Sequence, residues 1–316
     1  MNYWAYYFLN KNKLLQISIH LLKKQDFFLS LYKKAMNNFA GKGLRKYPFV
    51  KELKNFLIEQ AKSDFTIINN NKMHLGAKDC LKLSVNGVYE PLETNWVKNN
   101  VKNGDVVLDV GANIGYYSLM LSRLVGKTGH VFSFEPEPSN FELLKKNILI
   151  NNFTNIQAEN VALSDHDGST KLFISEMRTG MHRIYPSRFC TEKFVETKMI
   201  SLDNYFKDNE FLEKISFIKM DVEGSELGVL KGMKKIFEKT TNLKILMEFV
   251  PSCVREFGSE PSELLSILKN EGFKFSYTQD DDKTVNPITD IEKLLQMFDG
   301  TKEDIILKGT NLICER

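Results

Sequence analysis

Between residues 106 and 270, short apolar stretches alternate with amphipathic ones, and this alternation constrains the fold more than any other feature. "VVLDV" precedes "YYSLMLSRLV", which puts Tyr117, Met120, Leu121 and Leu124 on one helical face. "HVFSFEP" precedes "SNFELLKKNILINN", a helix opened by a Ser, and "NIQAENVAL" reads as the next strand. "ISFIKMDV" precedes "SELGVLKGMKKIFEK", and "LKILMEFV" precedes "PSELLSILKNEG", with Pro261 near its start and Gly272 just past its end. The strand stretches are apolar without alternation, as strands buried on both faces are. Strand and helix in turn at short intervals imply a mostly parallel sheet with helices on both faces. "FKFSYT" and "NLICE" read as the final strands. One interval departs: residues 165 to 212, from "DHDGSTKLFIS", offer a turn and a strand where a helix is due. Upstream, "FTIINNNKMHLG" and "CLKLSVNG" read as short strands around an Asn-rich turn, and "PLETNWVKNNVKNGD" as a helix ending at a turn on Gly104.

Residues 1–62 read as a helical N-terminal extension, and residues 63–316 as the main domain. "LLQISIHLLKKQDFFLSLYKKAM" spaces Leu14, Ile17, Leu21, Leu22, Phe28, Leu29 and Tyr32 between Lys pairs, and "FVKELKNFLIEQAK" continues with Phe49, Leu53 and Leu57. Such faces suit packing on the main domain or a homodimer. Their basic character also suits peripheral contact with an anionic membrane surface. A net charge of +3 is too small to argue for nucleic acid as a partner. Cys80, Cys190, Cys253 and Cys314 make no C-x-x-C pair, which leaves zinc ribbons and redox motifs without support and fits a reducing compartment. No run reaches the roughly 18 apolar residues of a membrane span. "MNYWAYYFLNKNK" lacks the basic region and cleavage site of a signal peptide, so the expected location is the cytoplasm.

In open parallel sheets, ligands sit at the carboxyl ends of strands near the point where strand order reverses. The first strand of the alternation ends at Asp109, and Gly111, Asn113 and Gly115 follow in "VVLDVGANIGYYS". A dinucleotide loop has Gly where Asn113 stands, and no G-x-x-x-x-G-K-[ST] loop is nearby. The second strand ends in Glu135, an acid placed to accept both hydroxyls of a ribose, which suits nicotinamide cofactors and S-adenosylmethionine alike. The fourth ends in "KMDVEGSE", with Asp221, Glu223 and Glu226, and the fifth in "MEFVP", with Glu248. Glu223 and Glu226 also suit the positive N-terminus of the following helix. Asp221 and Glu248 terminate buried strands, where a functional role is the better reading.

Assembled, these residues resemble the FkbM-type family of S-adenosylmethionine-dependent methyltransferases over roughly residues 64 to 280. "YEPLETNWVKNNVKNGDVVLDVGANIGYYS", "VFSFEPEPSNFELLKKNI", "NVALSDHDG", "TGMHRI", "ISLDNYF" and "FIKMDVEGSELGVLKG" carry the resemblance. It implies an α/β class I methyltransferase (Rossmann-like) fold, doubly wound, with a mostly parallel seven-stranded sheet and an antiparallel final hairpin. Asp109, Gly111, Asn113 and Gly115 then surround the methionine part of the cofactor, and Glu135 holds the ribose. Asn160, Val161 and Ala162 meet the adenine edge. Glu93 and Thr94, in the helix before the first strand, close over the methionyl carboxylate. The family implies O-methylation of a hydroxyl on a sugar, glycan or other small polar metabolite.

Two arrangements for activating the acceptor are open. Asp221, Glu223 or His182 of "TGMHRIY" takes the proton, or Asp221 and Glu248 hold a divalent metal, for which oxygen ligands suit Mg²⁺. Methylation of protein or nucleic acid is an alternative, although no Asn-Pro-Pro-Tyr-like clamp for a flipped base is present. A nicotinamide-dependent enzyme is another, opposed by Asn113 and "DVEGSE". A non-catalytic scaffold is opposed by the Gly loop and Glu135. Segment 170–200, the N-terminal helices and the C-terminal tail set the acceptor. There, Arg178, Arg183 and Arg188 either contact an acidic sugar or phosphate or form a solvated basic loop.

Overall fold

A computed structural model describes residues 65–76, 79–176, 180–279, 284–298 and 308–316. The expected helical extension over residues 1–62, with its dimer and membrane faces, lies outside the described residues, as does Arg178. The chain divides into two units, Met1–Thr66 and Ile67–Arg316, and the central sheet and its helices belong to the second.

Strands β1 (Thr66–Ile68) and β2 (Asn71–Met73) form a ribbon turned by Asn69 and Asn70, both at positive φ (47° and 62°). Asn tolerates this left-handed backbone, and the Asn-rich turn is as expected. "CLKLSVNG" is not a strand but contains a short helix, α1 (Leu83–Asn86). The carboxylate of Asp79 accepts from Leu83 N (2.9 Å) and Ser84 N (2.8 Å). That satisfies amides a helix leaves open, and it outweighs the strand tendency of the apolar residues.

Helix α2 (Pro91–Asn100) starts on a proline, whose missing N–H costs nothing at that position. The alternation follows: β3 (Val106–Val110), α3 (Tyr116–Val125), β4 (His130–Phe134), α4 (Pro138–Ile150) and β5 (Ile156–Glu159). Strands β6 (Ala162–Leu163), β7 (Gly168–Phe173) and β8 (Phe194–Ile200) form a separate three-stranded sheet, ordered β6-β8-β7, across the interval that lacked a helix in the sequence. After the one-turn helix α5 (Leu202–Tyr205) comes β9 (Ile215–Met220). The expected helix behind it is broken into α6 (Glu226–Lys231) and α7 (Lys234–Lys239). Gly232 marks the break, and a Cβ there would collide with the carbonyl oxygen of Ser164. Next are β10 (Lys244–Phe249), α8 (Pro251–Glu256), α9 (Pro261–Asn270) and β11 (Lys274–Gln279). The described chain closes with β12 (Thr284–Ile288), α10 (Ile291–Met297) and β13 (Thr310–Glu315).

The central sheet runs β12-β11-β13-β10-β9-β3-β4-β5. Strands β5, β4, β3, β9 and β10 are parallel, and β13 pairs antiparallel with both β10 and β11. This is the doubly wound class I methyltransferase order with its antiparallel final pair, extended by an eighth strand, β12. Pro287 hides β12 in the sequence, because proline is admitted to a sheet only where its missing N–H is not needed, as on this edge.

The sheet is covered on both faces. Val107, Val131, Phe217 and Leu246 pack with Val97, Leu119, Leu121 and Val125 of α2 and α3. Val106, Leu108, Phe132, Ile218 and Met247 pack with Leu230, Ile236, Leu264 and Leu268 of the helices opposite. Strand order reverses between β3, which continues to β4, and its other neighbour β9, so the crevice opens at their carboxyl ends.

At that crevice Gly111 has φ 84°, and a Cβ there would overlap the carbonyl oxygen of Asp221. We expect Gly111→Ala to lose about 2–4 kcal/mol of stability, from left-handed strain and forced repacking. A thermal melt reads this as a drop of several degrees, and an unchanged melting point would contradict the packing described.

Candidate active site

The loop from β3 to α3 is held by its own amides. Gly111 N and Ala112 N both donate to Phe134 O (3.0 Å each), and Gly115 N donates to Ala112 O (2.8 Å). Asn113, at φ 50°, donates its N–H to Glu135 Oε2 (2.7 Å). Its side-chain Oδ1 is buried with no partner among the described residues. Asp109 is buried and accepts from Ser118 Oγ, which itself accepts from Ser133 Oγ (2.9 Å). Burial pushes the Asp109 carboxyl up to about 6.

Glu135 ends β4 with both oxygens engaged, Oε2 by Asn113 N and Oε1 by Glu137 N (2.9 Å). Burial pushes it up to about 7, against the two amides. A carboxylate has roughly four acceptor positions, so the two amides and the Asn140 side chain leave room for a ribose hydroxyl.

A cavity of about 670 Å³ lies over these strand ends. Asp109, Gly111, Asn113, Glu135, Val161, Ala162, His182, Asp221, Glu223, Glu248 and Glu93 line it. Gly115, Thr94 and Asn160 are not in its wall. Thr94 Oγ1 bonds Tyr89 O (2.8 Å) and the Tyr116 hydroxyl (3.0 Å). The Asn160 amide donates to Glu135 O (2.8 Å) and Pro136 O (3.1 Å), so its side chain braces the end of β4 rather than facing a ligand. Glu93 accepts from Asn311 Nδ2 (3.2 Å) through one oxygen, while its buried Oε2 has no partner among the described residues.

Beyond the loop, carboxylate oxygens of Asp221, Glu223 and Glu248 lie within 4.8 Å of one another. Glu226 is turned away from them. It accepts from Gly224 N (3.1 Å) and Val222 N (3.3 Å) at the start of α6, which realises its expected helix-terminus role. Burial and the charge of Asp221 push Glu223 up to about 8, against the pull of Arg183. Burial, then Asp221 and Glu223, hold Glu248 well above the usual carboxylate range.

Two buried cations answer this charge. Lys219 of β9 is 1% exposed, with Nζ 3.5 Å from Asp221 Oδ2 and 5.3 Å from the centre of the Tyr117 ring. Burial works against its charge, but Asp221, Glu90, Glu248 and Asp109 keep the ammonium above its ordinary value. Arg183 is neither solvated nor turned to a ligand. Its guanidinium is buried, bonded to Glu223 (3.0 Å), Glu256 (3.1 Å) and Ser187 Oγ (2.8 Å). Both readings of Arg183 as an exposed cation are therefore corrected.

His182 faces the cavity with Nδ1 accepting from Ser175 N (3.1 Å), and burial lowers its pKa. That hydrogen bond assigns the proton of the neutral ring to Nε2. The lone pair needed by a base is engaged, so His182 is better placed as a donor.

Lys219, Tyr117, Glu90 and Asn311 were not among the site residues expected from the sequence, where Tyr117 was read only as part of a helical face. For Lys219 a signal existed: a charge inside the apolar stretch "ISFIKMDV". Glu90 accepts from the Tyr117 hydroxyl (2.7 Å) and Asn311 reaches Glu93 from the last strand, pairings that no local spacing shows.

The family described as the methyltransferase FkbM domain matches residues 109–275. Methyltransferase sdnD of Sordaria araneosa is 25% identical over 222 residues, 61% of this chain and 83% of that protein. Hexuronic acid methyltransferase AglP of Haloferax volcanii is 31% identical over 183 residues, 56% of this chain and 72% of that protein. 31-O-demethyl-FK506 methyltransferase FkbM of Streptomyces tacrolimicus is 23% identical over 208 residues, 57% of this chain and 76% of that protein.

Arg183→Met would strand Glu223 and Glu256 beside each other without their shared cation. The expected loss of stability is about 3–5 kcal/mol, the range for breaking a buried ion pair from one side. Denaturant unfolding measures it, and a change below about 1 kcal/mol would refute the pairing.

Proposed function

This chain belongs to the FkbM methyltransferase family and is an S-adenosylmethionine-dependent methyltransferase, and from that premise we propose that it methylates a hydroxyl oxygen of a neutral sugar or similar small polar acceptor. The observation that carries this reading is the convergence of Asp221, Glu223 and Glu248 at one end of the cavity.

The cavity suits the cofactor. Two buried oxygens without partners, Glu93 Oε2 and Asn113 Oδ1, belong to wall residues. Glu135 would hold the ribose, Val161 and Ala162 the base, and Asp109 with the Gly111–Asn113 loop the methionine part. Strands β4 and β9 are two steps apart in the sheet, so Glu135 and Asp221 are separated by roughly 10 Å across it. Bound S-adenosylmethionine supplies a methyl carbon on a cationic sulfur that is already an activated electrophile.

The protein's remaining task is to orient the acceptor and remove its proton. A carboxylate base suits a hydroxyl, and burial brings Glu223 up to about 8, close to the range in which a base works best at neutral pH. Asp221 and Glu223 are held by Lys219 and Arg183, whereas Glu248 has no cation within ion-pair distance among the described residues. Glu248 thus joins Asp221 and Glu223 as a candidate base, and His182 recedes. The name of the Streptomyces relative specifies an oxygen, and that of the Haloferax relative a sugar acid. Here the described wall holds six carboxylates and one ammonium, Lys219. That charge opposes nucleic acid or a phosphate-bearing acceptor and favours a neutral one.

At Asp221 the Lys219 ammonium competes with Mg²⁺ for a carboxylate oxygen. A Mg²⁺ site needs carboxylate oxygens free for an octahedral shell with several waters. Here Asp221 faces Lys219, and the neighbouring Glu223 faces Arg183. No step is assigned to a metal.

S-Adenosylhomocysteine at a hundred times its Kd should stabilise the protein by about 2.7 kcal/mol, seen as a raised melting point, while NAD leaves it unchanged. The reverse pattern would end the methyltransferase reading. With labelled S-adenosylmethionine and a panel of sugars, Asp221→Asn or Glu248→Gln should lower kcat by about 100-fold or more, and EDTA should leave the parent rate unchanged. Full rates in both variants would remove the cluster from the reaction. Loss of rate in EDTA, restored by Mg²⁺, would give it to a metal.

A further inference from the structure

Two buried polar groups at the cavity wall have unmet hydrogen-bonding capacity, and they carry opposite charge. Lys219 Nζ meets one carboxylate oxygen, Asp221 Oδ2, at the long distance of 3.5 Å. An ammonium has three donors, so two N–H bonds have no hydrogen-bond partner among the described residues. Glu93, 2% exposed, has the complementary defect: a buried Oε2 that nothing described donates to.

Register fixes where Lys219 stands. In the parallel pair of β3 and β9, Asp109 lies opposite Lys219, so the two side chains rise from the same face of the sheet. That is the face α2 and α3 cover, from which Glu93 and Tyr117 come. Four amides of the adjacent loop are already engaged. The amides of Gly111 and Ala112 donate to Phe134 O, that of Asn113 to Glu135, and that of Gly115 to Ala112 O. No arginine and no second lysine lines the cavity among the described residues.

A buried ammonium and a buried carboxylate, each short of a partner in one cavity, are complementary to a zwitterion. The amino-acid end of S-adenosylmethionine is such a zwitterion. We propose that Lys219 holds the α-carboxylate of the cofactor and Glu93 its α-ammonium. This reverses the expectation that Glu93 and Thr94 close over the carboxylate. A carboxylate repels a carboxylate, and the Thr94 hydroxyl is engaged by Tyr89 O and the Tyr116 hydroxyl. The proposal rests on the family's cofactor and is independent of the acceptor.

Calorimetric titration of the full chain with three ligands tests it. S-Adenosylhomocysteine has both charged groups, its decarboxylated analogue keeps only the ammonium, and 5′-methylthioadenosine has neither. The parent should bind S-adenosylhomocysteine about tenfold or more tightly than the decarboxylated analogue. Equal affinity would overturn the proposal without any variant. Lys219→Met should weaken S-adenosylhomocysteine by about tenfold or more and leave the decarboxylated analogue unaffected, with unchanged methylthioadenosine binding showing that the variant is folded. Glu93→Gln should weaken both amino-acid ligands alike, and Lys219→Arg should keep the preference. If Lys219→Met weakens both amino-acid ligands equally, or neither, Lys219 serves Asp221 alone and the proposal fails. Should Lys219→Met not fold, the parent comparison and Lys219→Arg decide the matter. A parent that binds none of the three, methylthioadenosine included, would overturn the cofactor reading and this proposal with it.

Discussion

Burying negative charge at the carboxyl ends of β4, β3, β9 and β10 is the constraint on which the rest of the site depends. An ionised carboxylate taken out of water costs several kcal/mol unless hydrogen bonds or opposite charge offset it. Glu248 has no such partner among the described residues, and the others are answered differently: Asp109 by Ser118, Glu135 by two backbone amides and the Asn140 side chain, Glu226 by the amides of its own turn. Asp221 has Lys219, Glu223 has Arg183, and Glu90 has the Tyr117 hydroxyl. The answers fall short of the charge, as the raised values of about 6, 7 and 8 at Asp109, Glu135 and Glu223 record. A site in deficit of positive charge suits a ligand that brings a cationic sulfur and an ammonium of its own.

The scaffold supplies this arrangement by register and by close approach. Parallel pairing sets Asp109 beside Lys219, and Asp221 follows two residues on, just past the end of β9, its N–H bonded to Val110 O (2.9 Å). The two strand ends draw together because Gly111 has no side chain to meet the Asp221 carbonyl. Backbone at positive φ recurs at Asn113 and Glu223, both in turns that follow strands and both in the cavity wall. Left-handed residues of this kind persist only where the surroundings hold them. For Glu223 those surroundings are Arg183 on its carboxylate and the Tyr185 hydroxyl on its carbonyl oxygen (2.7 Å).

Much of this was readable in advance. The sheet-forming strands from β3 to β10, the helices between them and the acids at their ends follow from local pattern. The departures have local or topological causes. Asp79 turned an expected strand into α1, and Pro287 concealed an edge strand. Gly232 divided a helix to make way for Ser164. Asn160, expected at the adenine edge, turns its amide to the backbone of Glu135 and Pro136 instead of the cavity.

By itself the sequence determined the alternation, the Gly111–Gly115 loop and the acid that closes each strand, because these depend on residues a few positions apart. Which charge answers which was decided only by the tertiary structure. Arg183 reaches Glu223 and Glu256 across 40 and 73 residues, and Asn311 reaches Glu93 across 218. In the sequence Lys219 is one charge inside an apolar strand, and only the pairing of β3 with β9 sets it beside Asp109. Burial and ion pairing are properties of the elements that pack together, and spacing along the chain does not encode them.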